Sequence, residues 1–167
     1  MKIVIRPWQK KDVPQLAALA NNINIWKNVR DRLPHPYLEK DAEEWISFTL
    51  SEQPLTNFAI EADGVIAGAI GFILQQDVYR KNIEIGYFVG EPFWGKGIAT
   101  IAVKQLTGML LANYDVARFY AGVFENNPSS MRVLEKNGFH LEAVHRKSIF
   151  KNNELLDEYL WVKLTTH

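Results

Sequence analysis

Residues 2–6 alternate in hydrophobicity and the alternation ends at Pro7, the pattern of a short strand. Val13, Leu16, Ala17, Leu19 and Ala20 then recur at helical spacing, and Asp12 stands where it can cap a helix over about residues 13–22. The stretch Arg30 to Tyr37 is polar and irregular, and Pro34 and Pro36 rule out a continuous helix through it. Asp41, with Glu44 three positions on, has the spacing of a capping box and opens a helix to about residue 52. Apolar runs at Asn57–Ala62 and Val65–Leu74 flank Asp63-Gly64, the signature of a tight hairpin. A further strand at 83–89 leads into a helix over 98–112, where Ile98, Ala102, Leu106, Met109 and Leu110 make one face apolar. The remaining pattern gives a strand at 117–123, a helix at 128–137 closed by Gly138, and strands at about 139–149 and 155–164 around Lys151-Asn152-Asn153-Glu154. The sum is a mixed α/β (α+β) fold, antiparallel in its first half, with a strand–helix–strand crossover near the centre. With 167 residues and no repeat or linker, one domain spanning 1–167 is expected.

Charge and composition remove several function classes. Nineteen basic residues balance nineteen acidic ones, so no overall positive field attracts a nucleic acid. No apolar run approaches the length of a membrane span, and the first residues read as a strand rather than a leader, so a cytoplasmic location is expected. The chain has no cysteine and therefore no thiolate ligand or cysteine nucleophile. Histidines stand at 35, 140, 145 and 167 without paired helical spacing, so no metal site is expected.

The most informative stretch is Gly90-Glu91-Pro92-Phe93-Trp94-Gly95-Lys96-Gly97-Ile98-Ala99-Thr100. It joins a strand to a helix through two glycines one residue apart, which permit a tight turn and a close backbone approach to a ligand. The helix start behind them presents unpaired N–H groups and the positive end of the macrodipole, suited to a pyrophosphate. Spacing alone leaves the alternative of an ordinary turn between core elements.

Three blocks in order resemble the GNAT N-acetyltransferase superfamily, and within it the RimJ/RimL-like branch that includes ribosomal-protein N-terminal acetyltransferases. They are Ile83-Glu84-Ile85-Gly86-Tyr87, Trp94 to Thr100, and Asn127 to Phe139 (NPSSMRVLEKNGF). The resemblance covers essentially the whole chain. It implies a mostly antiparallel central sheet, splayed in the middle, with helices on both faces, and acetyl-CoA as acetyl donor. The superfamily's phosphate loop usually opens with Gln or Arg three positions before the first glycine, where this chain has Pro92.

Carried over position by position, the resemblance places phosphate binding at Gly95, Lys96, Gly97, Ile98, Ala99 and Thr100, with Lys96 as a charge partner. It gives the Phe88 N–H to the acetyl carbonyl and the backbone at Val89 and Gly90 to the pantetheine arm. Glu84 is the implied general base; the alternative is a strand carboxylate paired with a cation or facing solvent. Asn127 and Ser130 would contact the cofactor, with Ser130 also a source of a proton for the leaving sulfur; the alternative is that they cap the helix they begin. Many members place a tyrosine acid where this chain has Leu134. Arg30, Asp31, His35 and Tyr37 are candidates to line the acceptor entrance, against a solvated loop packed by Pro34, Pro36 and Tyr37. Trp8, Trp26, Trp45 and Trp161 read as packing residues. The expected reaction is acetylation of a primary amine, by preference a protein N-terminal α-amine, by a monomer or homodimer. A small-molecule amine acceptor and a non-catalytic acyl-CoA-binding domain are the alternatives.

Overall fold

The computed structural model describes residues 1–166 and contains β1 (Ile3–Pro7), α1 (Val13–Ala20), α2 (Ile23–Trp26), α3 (Glu39–Ser51), β2 (Asn57–Ala62), β3 (Val65–Leu74), β4 (Asn82–Val89), α4 (Ile98–Asn113), β5 (Arg118–Phe124), α5 (Pro128–Lys136), β6 (His140–Lys151) and β7 (Glu154–Leu164). The seven strands follow the order β1-β2-β3-β4-β5-β7-β6. Pairing is antiparallel for β1–β2, β2–β3, β5–β7 and β6–β7, and parallel for β4–β5. This is the expected mixed, mostly antiparallel architecture. Among the described residues no helix is long and apolar enough to cross a membrane.

The chain divides into two compact units. The first holds Met1–Gly71 with Tyr87–Ala102, the second Phe72–Gly86 with the chain from Val103 onward, so β3, β4 and α4 contribute to both. In the first unit, Asp63 and Gly64 take positive φ angles of 48° and 83° and close the β2–β3 hairpin where the pattern placed it. Trp8, Val13, Leu16, Ala17, Ala20, Tyr37, Ala42 and Ile46 bury against Ala59 and Ile66, with Trp45 and Phe88 partly buried beside them. The helical periodicity of α1 and α3 therefore marks the faces that meet this core.

Three local expectations are corrected. The first helix stops at Ala20, and a second short helix begins at Ile23, because the Asn22 side chain accepts from the Asn24 N–H at 2.8 Å and caps a new start. Asp12 does not cap α1. It is buried, accepting from Arg6 Nη1 at 2.8 Å, Arg6 Nη2 at 3.0 Å and the Gln9 N–H at 2.9 Å. Asp41 likewise lies inside α3, which starts at Glu39; its carboxylate accepts from the Leu38 N–H at 2.8 Å and supplies the far half of a capping box.

In the second unit β5, β7 and β6 form a continuous antiparallel array, with Phe119, Val123 and Val162 buried. Asn152 and Asn153, both at positive φ (51° and 61°), make the β6–β7 turn, so the strands run closer to it than the sequence pattern suggested. α5 is closed by Gly138 at φ 83°. The apolar face of α4 buries Ile98, Ala102, Val103, Leu106 and Leu110, while Met109 stays half-buried.

Candidate active site

In the first unit, β4 delivers the chain to the glycine loop. The Gly90 N–H donates to Ala67 O at 2.8 Å, and a 3₁₀ turn over Glu91–Phe93 follows. Within it the Phe93 N–H donates to Gly90 O at 2.9 Å and the Trp94 N–H to Glu91 O at 3.1 Å. Gly95 and Gly97 have φ of 72° and 74°, the left-handed region that side chains with a Cβ rarely adopt. A Cβ built on either would meet nothing within 4 Å, so backbone conformation rather than crowding demands glycine here. The loop from Trp94 to Gly97 is exposed, and the α4 hydrogen-bond ladder starts with the Ile101 N–H on Gly97 O at 3.2 Å. The N-terminus of a sixteen-residue helix thus opens onto an exposed loop, a geometry that favours an anion. Lys96 Nζ reaches back to Pro92 O at 3.1 Å and lies 5.6 Å from the centre of the Phe93 ring.

Further contacts anchor the turn before the loop. Glu91 accepts from Asn22 Nδ2 at 2.6 Å and Asn24 Nδ2 at 3.2 Å, and these bonds hold its carboxyl below the usual range. The Trp94 indole N–H donates to Val89 O at 2.7 Å. After α2, Arg30 and His35 are exposed, and the His35 ring lies 5.8 Å from that of Trp26. Tyr37 is different: only 6% exposed, it belongs to the core, and burial pushes its hydroxyl up to about 12. The irregular segment thus combines an exposed polar part with a packed aromatic anchor.

In the second unit, the parallel β4–β5 ladder has three rungs, Asn82–Arg118, Ile83–Phe119 and Glu84–Tyr120, and ends there although both strands continue. Glu84 is half-buried at this last rung, on the same strand face as exposed Gly86. The register carries that face across β5 and β7 through Tyr120, Gly122, Phe124 and Glu158. Glu158 singles out a position the sequence reading missed. Its carboxylate lies over exposed Gly122, where an added Cβ would fall 2.6 Å from Oε2, and His145 Nδ1 approaches Oε1 at 3.4 Å. The only advance signal was a glycine in the middle of a strand.

Asn127 caps α5, its side chain accepting from the Ser130 N–H at 3.4 Å. Leu134 is completely buried and offers no proton donor where many GNAT sequences have tyrosine. Among the described residues no group of three or more His, Asp or Glu side chains is placed to hold a metal ion.

The chain belongs to the acetyltransferase (GNAT) domain family, whose model matches residues 2–140. It is similar to the probable N-acetyltransferase YjcK of Bacillus subtilis, 36% identical over 113 residues, covering 67% of this chain and 56% of that protein. Similarity also extends to the spermidine N(1)-acetyltransferase of Escherichia coli, 22% identical over 91% of this chain and 80% of that one. Among solved structures, the microcin C7 self-immunity acetyltransferase MccE, in complex with acetyl-CoA and AMP, superimposes with a TM-score of 0.84 at 26% identity over 98% of this chain and 93% of that chain. RimL, a ribosomal-protein α-N-acetyltransferase in complex with coenzyme A, shares the fold with a TM-score of 0.86 at 21% identity over 98% and 94%. The protein is therefore an N-acetyltransferase of the GNAT family.

Proposed function

We propose that this protein transfers an acetyl group from acetyl-CoA to a primary amine, with a protein N-terminal α-amine as favoured acceptor. The observation that carries the donor side is the exposed Gly95–Gly97 loop, with both glycines at positive φ, opening onto the N-terminus of α4. Residues 95–100 would bind the pyrophosphate, with Lys96 exchanging Pro92 O for a phosphate oxygen. The Phe88 N–H would hold the thioester carbonyl oxygen and so stabilise the charge that develops on it. The backbone at Val89 and the carbonyl of Gly90 would bind the pantetheine arm, as if to a further strand, the Gly90 N–H being held by Ala67 O. The family resemblance gives Asn127 and Ser130 a contact with the cofactor as well.

The chemistry follows from what each group can do. Glu84 takes a proton from the acceptor ammonium, directly or through water, and the neutral nitrogen attacks the thioester carbon. A C–N bond forms as the C–S bond breaks; the attacking nitrogen gives up its second proton, which passes through water or the Ser130 hydroxyl to the departing thiolate, since Leu134 has none to give. An α-amine, with a reference pKa of about 8 against about 10.4 for lysine, suits a weak base of this kind. Arg30 and His35, steadied by buried Tyr37, would line the acceptor's path. Resemblance to RimL favours the protein N-terminus, and the spermidine-acetylating relative supports a small amine as the alternative. The reading places the protein in the cytoplasm, as a monomer or homodimer.

Isothermal titration with acetyl-CoA tests the donor site. Saturable binding is expected for the wild type and none for Gly97→Glu, which puts a carboxylate and a strained φ at the loop. A wild type that binds no acetyl-CoA overturns the proposal. Turnover on a free-N-terminal peptide against spermidine then decides the acceptor.

A further inference from the structure

We infer that Trp94 is a positioning residue for the acetyl donor: its indole N–H fixes the Val89 carbonyl and so holds the glycine loop in its binding shape. The inference rests on the donor site proposed above and adds a residue to it. Val89 ends β4 and Trp94 immediately precedes Gly95, so the Nε1–H to Val89 O bond of 2.7 Å closes the turn between strand and loop. That length lies at the short end of the ordinary N–H···O range. A carbonyl oxygen has two lone pairs. One is used by Trp94, and this bond restrains the Val89–Gly90 peptide beside the loop.

A packing role does not explain this side chain. Trp94 is 47% exposed, whereas Trp8, the tryptophan that does build the core, is 2% exposed. The rest of the turn is tied down independently, by Asn22 and Asn24 on Glu91 and by Lys96 on Pro92 O. What the Trp94 bond adds is local to the peptide next to the loop. Without it, the Val89–Gly90 peptide would have to be oriented by the ligand itself, and that cost would appear as lost affinity.

Trp94→Phe keeps the ring and removes the N–H. The expected result is a roughly fivefold to tenfold weaker acetyl-CoA affinity by titration and a matching rise in KM for acetyl-CoA, the size of one neutral hydrogen bond. The kcat at saturating donor and the KM for the amine should be unchanged, as should the thermal midpoint. Trp94→Ala should weaken the donor at least as much. Because the indole borders the loop, acetyl-CoA should change the tryptophan emission of the wild type, and Trp94→Phe should lose most of that change. Wild-type donor affinity in Trp94→Phe overturns the inference, as does a loss of affinity that only parallels a fall in thermal stability. Failure of the donor-site proposal is a distinct result, in which the wild type itself binds no acetyl-CoA.

Discussion

Glu84 occupies the last rung of the β4–β5 ladder, where the strand leaves its parallel neighbour and its side chain shares a face with exposed Gly86. If it takes the acceptor proton, Glu84→Gln should lower kcat about a hundredfold, the low end for general base catalysis, with acetyl-CoA affinity retained. A steady-state assay paired with donor titration checks this, and a kcat within twofold of wild type would leave Glu84 an ordinary strand carboxylate. Glu84 was singled out because it sits in the contiguous block Ile83 to Tyr87, one of the three that carry the resemblance. Glu158 was not. It lies far along the chain from Glu84, and only the register through Tyr120, Gly122 and Phe124 puts the two on one face. Tyr37 was legible only in part. The sequence left it open whether Tyr37 lines an entrance or packs its loop, and it is buried against α1 and α3 residues that no local window contains.

Helix and strand existence followed from periodicity, whereas helix ends followed from which side chain took which N–H. Asp12 and Asp41 both have the chemistry of caps, but each accepts from a backbone N–H three residues before it rather than from the helix start its spacing suggested. Asn22 caps a helix the pattern did not separate. Short polar side chains have several backbone partners within reach, and tertiary packing chooses among them. Asn127 is the case with a consequence for function. Asn127→Ala should cost about 1 kcal/mol of stability through loss of the α5 cap. Asn127→Ser restores a capping oxygen and should recover most of that loss. It should still raise KM for acetyl-CoA several-fold if the amide also binds the donor. Thermal melts run beside donor kinetics separate the two roles, and an unchanged KM in Asn127→Ser would confine Asn127 to capping.

The Arg6–Asp12–Glu61 cluster ties β1 to the start of α1 and to β2. Burial works to raise the Asp12 carboxyl, but the Arg6 hydrogen bonds, the Gln9 N–H and the nearby positive charge outweigh it and hold the group below its ordinary value of 3.8. A depressed carboxyl contributes stability that is fully present above the ordinary value and is lost as pH falls through the folded one. Asp12→Ala should therefore cost about 2–3 kcal/mol at neutral pH, since the partly buried Arg6 keeps only Glu61 to balance its charge. In urea melts from pH 7 to pH 3, the gap between wild type and variant should hold down to about pH 5 and narrow below 3.8. A gap that does not vary with pH would show that the loss is one of packing rather than charge.

The order of strands and helices, the hairpin at Asp63-Gly64 and the glycine loop ahead of α4 were determined by local sequence, because period, turn chemistry and the φ demands of glycine act over a few residues. Tertiary structure alone decided the early end of the β4–β5 ladder, the carboxylate over Gly122 and the burial of Tyr37. Each depends on which distant backbone lies alongside, and no short stretch of sequence carries that information.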